Sequence, residues 1–322
     1  MAAGLRETWK SKGAAVKVSV IVPFHNAQAT LARALESIAA SSHDNFEALM
    51  IDDCSSDPGS AIAVDFALRD ERFRYFRNAE NRKVSFSRNR GLDMAAGDFL
   101  MFVDADDWIS PDWIANLLDD AVASESEIVI GKAMRFRGGQ ERDYRMAGLE
   151  RRGPLKFEAV VFKDNSVVWN KLYSAAMLRR EKLRFDEDLY IGEDLLFNFK
   201  AMSRARGIFY SGRGHYHYHA DNEDSIMRSS TPAERISNLS LVLRRLVDYS
   251  NALERKNKAA PRKVARDILV NHCRYMDGPL DASTMGMIRA LDRFLLNKVR
   301  FSLFRKAVRK AFVPGPRKND NV

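Results

Sequence analysis

A chain of 322 residues, 46% of them hydrophobic and 30% charged, carries enough apolar material for a large core and an extension beyond it. Its net charge of +9 favours anionic partners, while no module or interleaved aromatic surface for nucleic acid accompanies the basic residues. With only Cys54 and Cys273 no disulfide framework is implied, and no run approaches the roughly 20 apolar residues needed to span a bilayer.

In chain order, residues 1–17 lack the continuous apolar core of a signal peptide, so a cytoplasmic location is expected. The apolar run 18–22 reads as a strand stopped by Pro23, followed by a helix over 30–40 with Leu31, Leu35 and Ile38 at helical spacing. Residues 46–51 form a second strand, ending in Asp52-Asp53-Cys54-Ser55-Ser56-Asp57. A helix over 60–68, a strand over 73–76 and a helix over 85–96 closed by Gly97 lead to the next apolar strand. Strands alternating with helices mean a mostly parallel sheet covered on both faces, with ligands beyond the carboxyl ends of its strands. The clusters Pro23-Phe24-His25-Asn26, Asp52-Asp53 and Asp104-Ala105-Asp106 all fall at such ends and therefore converge on one rim.

The strand from Phe99 runs into Asp104-Ala105-Asp106-Asp107-Trp108. If strand alternation persists there, Asp104 and Asp106 face one site, and such hard oxygen ligands suit Mg²⁺ or Mn²⁺ holding a diphosphate. Asp107, on the opposite alternation, is expected to orient its neighbours or the helix expected from Pro111. Further along, Gly192-Glu193-Asp194 opens an amphipathic helix whose Leu195, Leu196, Phe199 and Met202 face a core, which places both acids at a helix N-terminus. His215-Tyr216-His217-Tyr218-His219 alternates, so the histidines share one strand face. No cysteine or spaced acid accompanies them, so structural zinc is not expected; His217 or His219 beside a catalytic metal or the donor diphosphate is the better use.

The order V-S-V-I-V-P-F-H-N, D-D-C-S-S-D, F-S-R-N-R-G-L-D-M-A-A-G-D-F-L-M-F-V-D-A-D-D-W, W-N-K-L-Y and G-E-D-L-L-F-N, between Val18 and Asn198, resembles family 2 glycosyltransferases with the GT-A fold. The resemblance implies an α/β architecture with a Rossmann-like, mostly parallel sheet flanked by helices, and inverting, metal-assisted transfer from a nucleotide sugar. It further implies that Pro23, His25 and Asn26 line the nucleotide pocket and that Asp53 accepts from the base ring. Asp52 either joins it in the pocket or, like Asp57, caps the next turn. Arg88, in a family segment where Ser87 replaces the usual Ala, lies either beside the donor or on a solvated helix face. Asp104 would reach ribose or metal, and Asp106 would be the direct metal ligand. By the same resemblance Asp194 is the general base with Glu193 as orienter or alternative, Trp169 is either a wall for a sugar ring or a core residue, and Lys171 approaches a phosphate or the acceptor.

Beyond Arg228 the texture turns helical. Thr231-Pro232-Ala233-Glu234 is a capping box opening a helix to about Asn251, Pro261 opens another over about 262–275, and residues 287–312 are basic with an apolar stripe of Phe301, Phe304, Val308 and Phe312. That stripe suits either an anionic membrane surface or the catalytic domain's own side. The expected division is a GT-A catalytic domain over 16–228 and a basic helical C-terminal extension over 229–322. Residues 138–143 read as a loop between strands or beside the acceptor cleft. The implied reaction moves a hexose, glucose or galactose, from a UDP-sugar donor to a polyprenyl-diphosphate-linked saccharide acceptor of an exopolysaccharide, at the inner face of the membrane. Two rivals are a sugar-nucleotide pyrophosphorylase, which should show a Gly-rich loop where this chain has Pro23-Phe24-His25-Asn26, and a membrane-associated scaffold, which would need neither Asp106 nor Asp194.

Overall fold

The computed structural model describes residues 16–144, 149, 151–157, 166–221 and 231–252. The chain divides into two units, residues 1–238 and 239–322. The helix expected from Pro261 and the basic stretch 287–312 lie outside the described residues.

The first unit opens with β1 (Val18–Phe24), α1 (Leu31–Ala39), β2 (Phe46–Asp52), α2 (Gly59–Arg69), β3 (Phe73–Arg77), α3 (Lys83–Met94) and β4 (Phe99–Phe102). After these come β5 (Trp108–Ile109), α4 (Trp113–Ser124), β6 (Ile128–Ile130), β7 (Ala133–Arg137), β8 (Gln140–Asp143) and β9 (Gly153–Leu155). Then follow β10 (Lys171–Ser174), α5 (Ala175–Arg180), α6 (Glu193–Arg204), β11 (Ile208–Tyr210) and β12 (Tyr216–His219). The helix α7 (Pro232–Ala252) starts in the first unit and ends in the second. Its capping box is formed: Thr231 Oγ1 accepts from Glu234 N at 3.2 Å, and Glu234 Oε2 accepts from Thr231 N at 2.8 Å.

The main sheet has the order β3-β2-β1-β4-β10-β6-β11-β9. In it β3, β2, β1 and β4 pair in parallel, β10 runs against β4 and β6, and β9 runs against β11. The carboxyl ends of β1, β2 and β4 thus reach one rim, as alternation of strand and helix requires. Pro23 does not stop β1: it pairs with Ile51, and β1 continues to Phe24. Ile21 O accepts from Val103 N, so Pro23, two residues on, turns its missing N–H toward β4 just where that pairing has ended. Helix α3 lies close against β1, and Gly91 permits it, since a Cβ there would sit 2.5 Å from Ile21 Cγ2.

A second sheet, β5-β12-β7-β8, stands beside the rim. Residues 140–143, expected as loop, are strand β8, hairpinned to β7 through Gly138 and Gly139 at φ 56° and 73°. Two consecutive positive φ angles are what a two-residue type I′ hairpin turn requires. Among the described residues no helix is long and apolar enough to cross a membrane.

Candidate active site

The two aspartates at the end of β2 have different jobs. Asp52 is fully buried, and its carboxylate accepts from Ser55 N at 2.7 Å, Ser60 Oγ at 2.8 Å, Tyr75 OH at 2.8 Å and Arg77 Nη1 at 2.9 Å. Burial would raise its pKa, but these hydrogen bonds outweigh it and hold the carboxyl below the usual range. Asp52 is therefore committed to the fold, which corrects its expected place in the nucleotide pocket. Asp53 Oδ1 accepts from Asn78 Nδ2 at 2.8 Å and Arg82 N at 2.9 Å, leaving Oδ2 without a protein partner among the described residues. His25 Nδ1 donates to Asp53 O at 2.9 Å, and Asn26 Oδ1 accepts from Ser56 N at 2.8 Å. Both side chains are exposed, with Asn26 at φ 51° clamping the loop after β2, so this end of the rim is a preformed frame around Asp53.

Strand β4 ends at Phe102, so Asp104 and Asp106 do not inherit strand alternation. Instead Asp107 N donates to Asp104 O at 3.1 Å, closing a turn over 104–107. Asp107 is fully buried beneath it, accepting from Tyr216 OH and from His219 N, each at 2.7 Å. Burial, with Asp106 and Asp104 adding to it, raises the Asp107 pKa well above the carboxylate range. Tyr216 OH also accepts from Asp104 N at 3.1 Å, and Arg33 Nη2, with its guanidinium 4.1 Å over the Trp108 ring, donates to Asp106 O at 2.6 Å. The turn is thereby tied to β12 and to α1.

Arg88 is the centre of the cleft. On α3, its side chain only 4% exposed, it donates through Nη1 to Asp194 at 2.6 Å and Glu193 at 3.2 Å, and through Nη2 to Asp104 at 3.1 Å. It is neither solvated nor open to a phosphate in this arrangement. Burial alone would lower its pKa; the carboxylates of Asp194, Asp104 and Glu193 overcome that and raise it. One cation shared by three acids leaves them short of positive charge. Burial raises the Asp194 pKa, Arg88 opposes, and Glu193 and Asp104 add to the rise, which reaches about 8. A carboxylate poised this near neutrality is suited to accept a proton. Gly192, at φ 83°, turns the chain into α6 directly before the two acids.

Lys171 departs from expectation. It is fully buried, Nζ donating to Val167 O and to Asn170 Oδ1, and burial against the opposing charge of Asp194 lowers its pKa to about 7. No face of it is left for a phosphate or an acceptor. Trp169 is likewise enclosed, stacked on Tyr216 with centroids 4.5 Å apart and on Tyr218 at 5.6 Å, so it belongs to the aromatic core rather than to an open sugar-binding wall. His217 stacks on Trp108 at 5.1 Å and pairs through Nδ1 with Glu141.

Among the described residues no three His, Cys, Asp or Glu side chains are placed together to hold a metal ion, so the expected set of Asp104, Asp106, His217 and His219 is not assembled: Asp104 is held by Arg88 and His217 by Glu141. His219 Nδ1, however, is buried without a hydrogen-bond partner, a nitrogen lone pair or N–H with nothing to meet it. Of the expected set, the His219 nitrogen is the one observation in this structure that suits a cation whose shell phosphates and water would complete.

The residues missed in sequence are Asn78 and Arg82, which frame Asp53, Tyr216 and Arg33, which tie the aspartate turn, and Asn198. Alternation along β12 carried a signal for Tyr216; an isolated arginine on α1 carries none.

The family profile described as "Glycosyl transferase family 2" matches residues 19–185. EpsH of Bacillus subtilis (strain 168) is 31% identical over 207 residues, 62% of this chain and 60% of that protein. The "GalNAc(5)-diNAcBac-PP-undecaprenol beta-1,3-glucosyltransferase" of Campylobacter jejuni subsp. jejuni serotype O:2 is 27% identical over 182 residues, 56% of this chain and 58% of that enzyme. The match thus spans less than two thirds of either relative. Staphylococcus aureus TarS 1–349 in complex with UDP-GlcNAc superimposes with a TM-score of 0.74 at 20% identity, over 92% of both chains, which establishes a shared GT-A fold. A central α/β sheet with an aspartate turn at its rim, together with a profile match over more than half its length, makes this chain a member of glycosyl transferase family 2.

Proposed function

We propose that the protein is an inverting glycosyltransferase that moves a hexose from a UDP-sugar to a hydroxyl of a growing surface glycan. The observation that carries this is Arg88, which draws an acid of the donor-side turn, Asp104, and the acids of the α6 N-terminus, Glu193 and Asp194, into one cleft. Asp53 Oδ2 accepts the ring N–H of uracil, a bond that a carboxylate in a buried frame makes well. Asp104 receives a ribose hydroxyl. Asp194 takes the proton of the acceptor hydroxyl as that oxygen attacks the anomeric carbon from the side opposite the departing UDP, so configuration inverts. When bound, Mg²⁺ or Mn²⁺ held by Asp106 and His219 neutralises diphosphate charge.

The UDP donor is supported by the nucleotide sugar bound to TarS, whose fold this chain shares. A lipid-diphosphate-linked acceptor is supported by the name of the Campylobacter relative and by the net charge of +9. Such an acceptor places the enzyme at the cytoplasmic face of the membrane, with the basic stripe around Phe301–Phe312 resting on anionic lipid. A screen of nucleotide sugars with Mg²⁺, Mn²⁺ or chelator, following nucleoside diphosphate release and product mass, tests the reading. UDP release that depends on acceptor supports it; no turnover with any UDP-sugar overturns it.

A further inference from the structure

Beneath Asp194 lies a polar network that no step above uses. Helix α6 carries Asp194 in its first turn and Asn198 four residues later, on the same helix face. Asn198 Nδ2 donates to Ser166 O at 2.6 Å and Val167 O at 3.0 Å, while its Oδ1 accepts from Tyr173 OH at 2.7 Å. From β10, Lys171 Nζ donates to the same Val167 carbonyl and to Asn170 Oδ1 at 2.7 Å. Asn170 in turn is held by its backbone carbonyl, which accepts from Gly131 N at 2.8 Å. The segment 166–170, tied at these points, aims Val168 N–H at Asp194 Oδ2, 3.3 Å away. Arg88 holds the other oxygen, Oδ1. The carboxylate is gripped on both sides, from the cleft by a guanidinium and from below by a backbone amide.

We propose that Lys171 is a positioning residue for Asp194: its buried amino group, together with the Asn198 amide, sets the 166–170 segment so that Val168 N–H holds the carboxylate in the orientation from which it takes the acceptor's proton. The inference rests on Asp194 being the base. A buried ammonium is costly, and a methionine would fill the same space without that cost. What the amino group adds is two directed hydrogen bonds that a methionine cannot make. The charged and titratable groups facing Asp194 are Arg88 from α3, Asp104 from the aspartate turn, Glu193 from its own helix, and Lys171 and Tyr173 from β10. Arg88 and the Val168 N–H favour the carboxylate; Asp104 and Glu193 disfavour it. Taking Lys171 away loosens the segment that aims the Val168 N–H and so shifts that balance toward the protonated acid.

The experiment compares full-length Lys171→Met, the milder Tyr173→Phe, which frees the Asn198 amide, and Asp194→Asn. UDP affinity is measured by calorimetry, and kcat and donor KM are followed across the pH range. For Lys171→Met, kcat should fall by about 10- to 100-fold through misplacement of the base, with UDP affinity and donor KM within about twofold of wild type. Its acid limb should move up by at least about half a pH unit, a shift that a merely structural role would not produce. Tyr173→Phe should move both readings the same way by less. If Asp194→Asn is inactive while Lys171→Met keeps the wild-type kcat and acid limb, the positioning role is refuted and the base stands. If Asp194→Asn transfers normally, the base assignment fails and this inference falls with it. Should Lys171→Met not fold, Tyr173→Phe decides, and an unmoved acid limb there refutes the proposal.

Discussion

Replacing Arg88 with methionine keeps a side chain of similar reach in the same buried space but removes the guanidinium that three carboxylates share at 2.6, 3.1 and 3.2 Å. Deleting one partner of a buried ion pair costs about 3–5 kcal/mol, because the charges left behind have nothing to compensate them. The orphaned acids have one escape, which is to take up protons. Holding a carboxyl protonated when its unfolded-state pKa lies three units below the ambient pH costs about 4 kcal/mol, so proton uptake limits the loss to that order. A carboxyl whose folded-state pKa is raised makes the folded protein bind more protons than the unfolded chain. Its contribution is fully present below the unfolded value, about 4, and is lost as pH rises through the raised one. Asp194 already behaves in this way in the wild type, with its pKa near 8, and the substitution should enlarge the effect by exposing Asp194, Asp104 and Glu193 to one another. Urea denaturation followed by circular dichroism should therefore show Arg88→Met destabilised by about 3–5 kcal/mol at pH 8 and by about half that or less at pH 5. An equal loss at the two pH values, or a loss under about 1 kcal/mol at pH 8, would mean that Arg88 does not balance these acids.

Three further outcomes follow from the site. Asp53→Asn keeps the oxygen that Asn78 and Arg82 use but puts an N–H₂ where a ring N–H arrives, so UDP should bind about 10- to 100-fold more weakly while CDP, whose ring nitrogen accepts, gains on it; an unchanged UDP-to-CDP ratio in calorimetry would place the base elsewhere. Asp106→Asn should weaken metal-dependent UDP binding and cost at least about a hundredfold in turnover, and near-normal transfer by that variant in chelator would remove Asp106 from the metal site. In the full-length chain, changing Arg305, Lys306, Arg309 and Lys310 to glutamine should reduce sedimentation with phosphatidylserine vesicles, since each basic group contributes about 1 kcal/mol near an anionic surface; equal binding by both proteins, at low and high salt alike, would refute the anchor.

Local pattern reached a long way into this molecule. Apolar runs of strand length alternating with helical spacing placed β1 to β4, and their polar ends had to meet at one rim because parallel strands share a direction. The second sheet was hidden because its strands are short or polar: β5 has two residues, and β8 is the fully exposed Gln140–Asp143, so neither shows the half-buried alternation by which a strand is recognised. Only β12, with histidines and tyrosines in strict alternation, announced itself.

The sequence by itself determined which acids stand at strand and helix ends, because periodicity and end signals act over a few residues, and so Asp53, the 104–107 run and the Glu193-Asp194 pair were legible before any coordinate. What each charge does was decided by tertiary structure alone. Arg88 meets acids 16, 105 and 106 residues away, Asp52 is turned inward by donors from four other positions, and Lys171 is buried where it shares the Val167 carbonyl with Asn198 of α6. A charged side chain carries no mark of whether it will face a ligand or another charge. That depends on burial and on the count of opposite charges within a few ångströms, quantities that exist only once the chain has closed on itself.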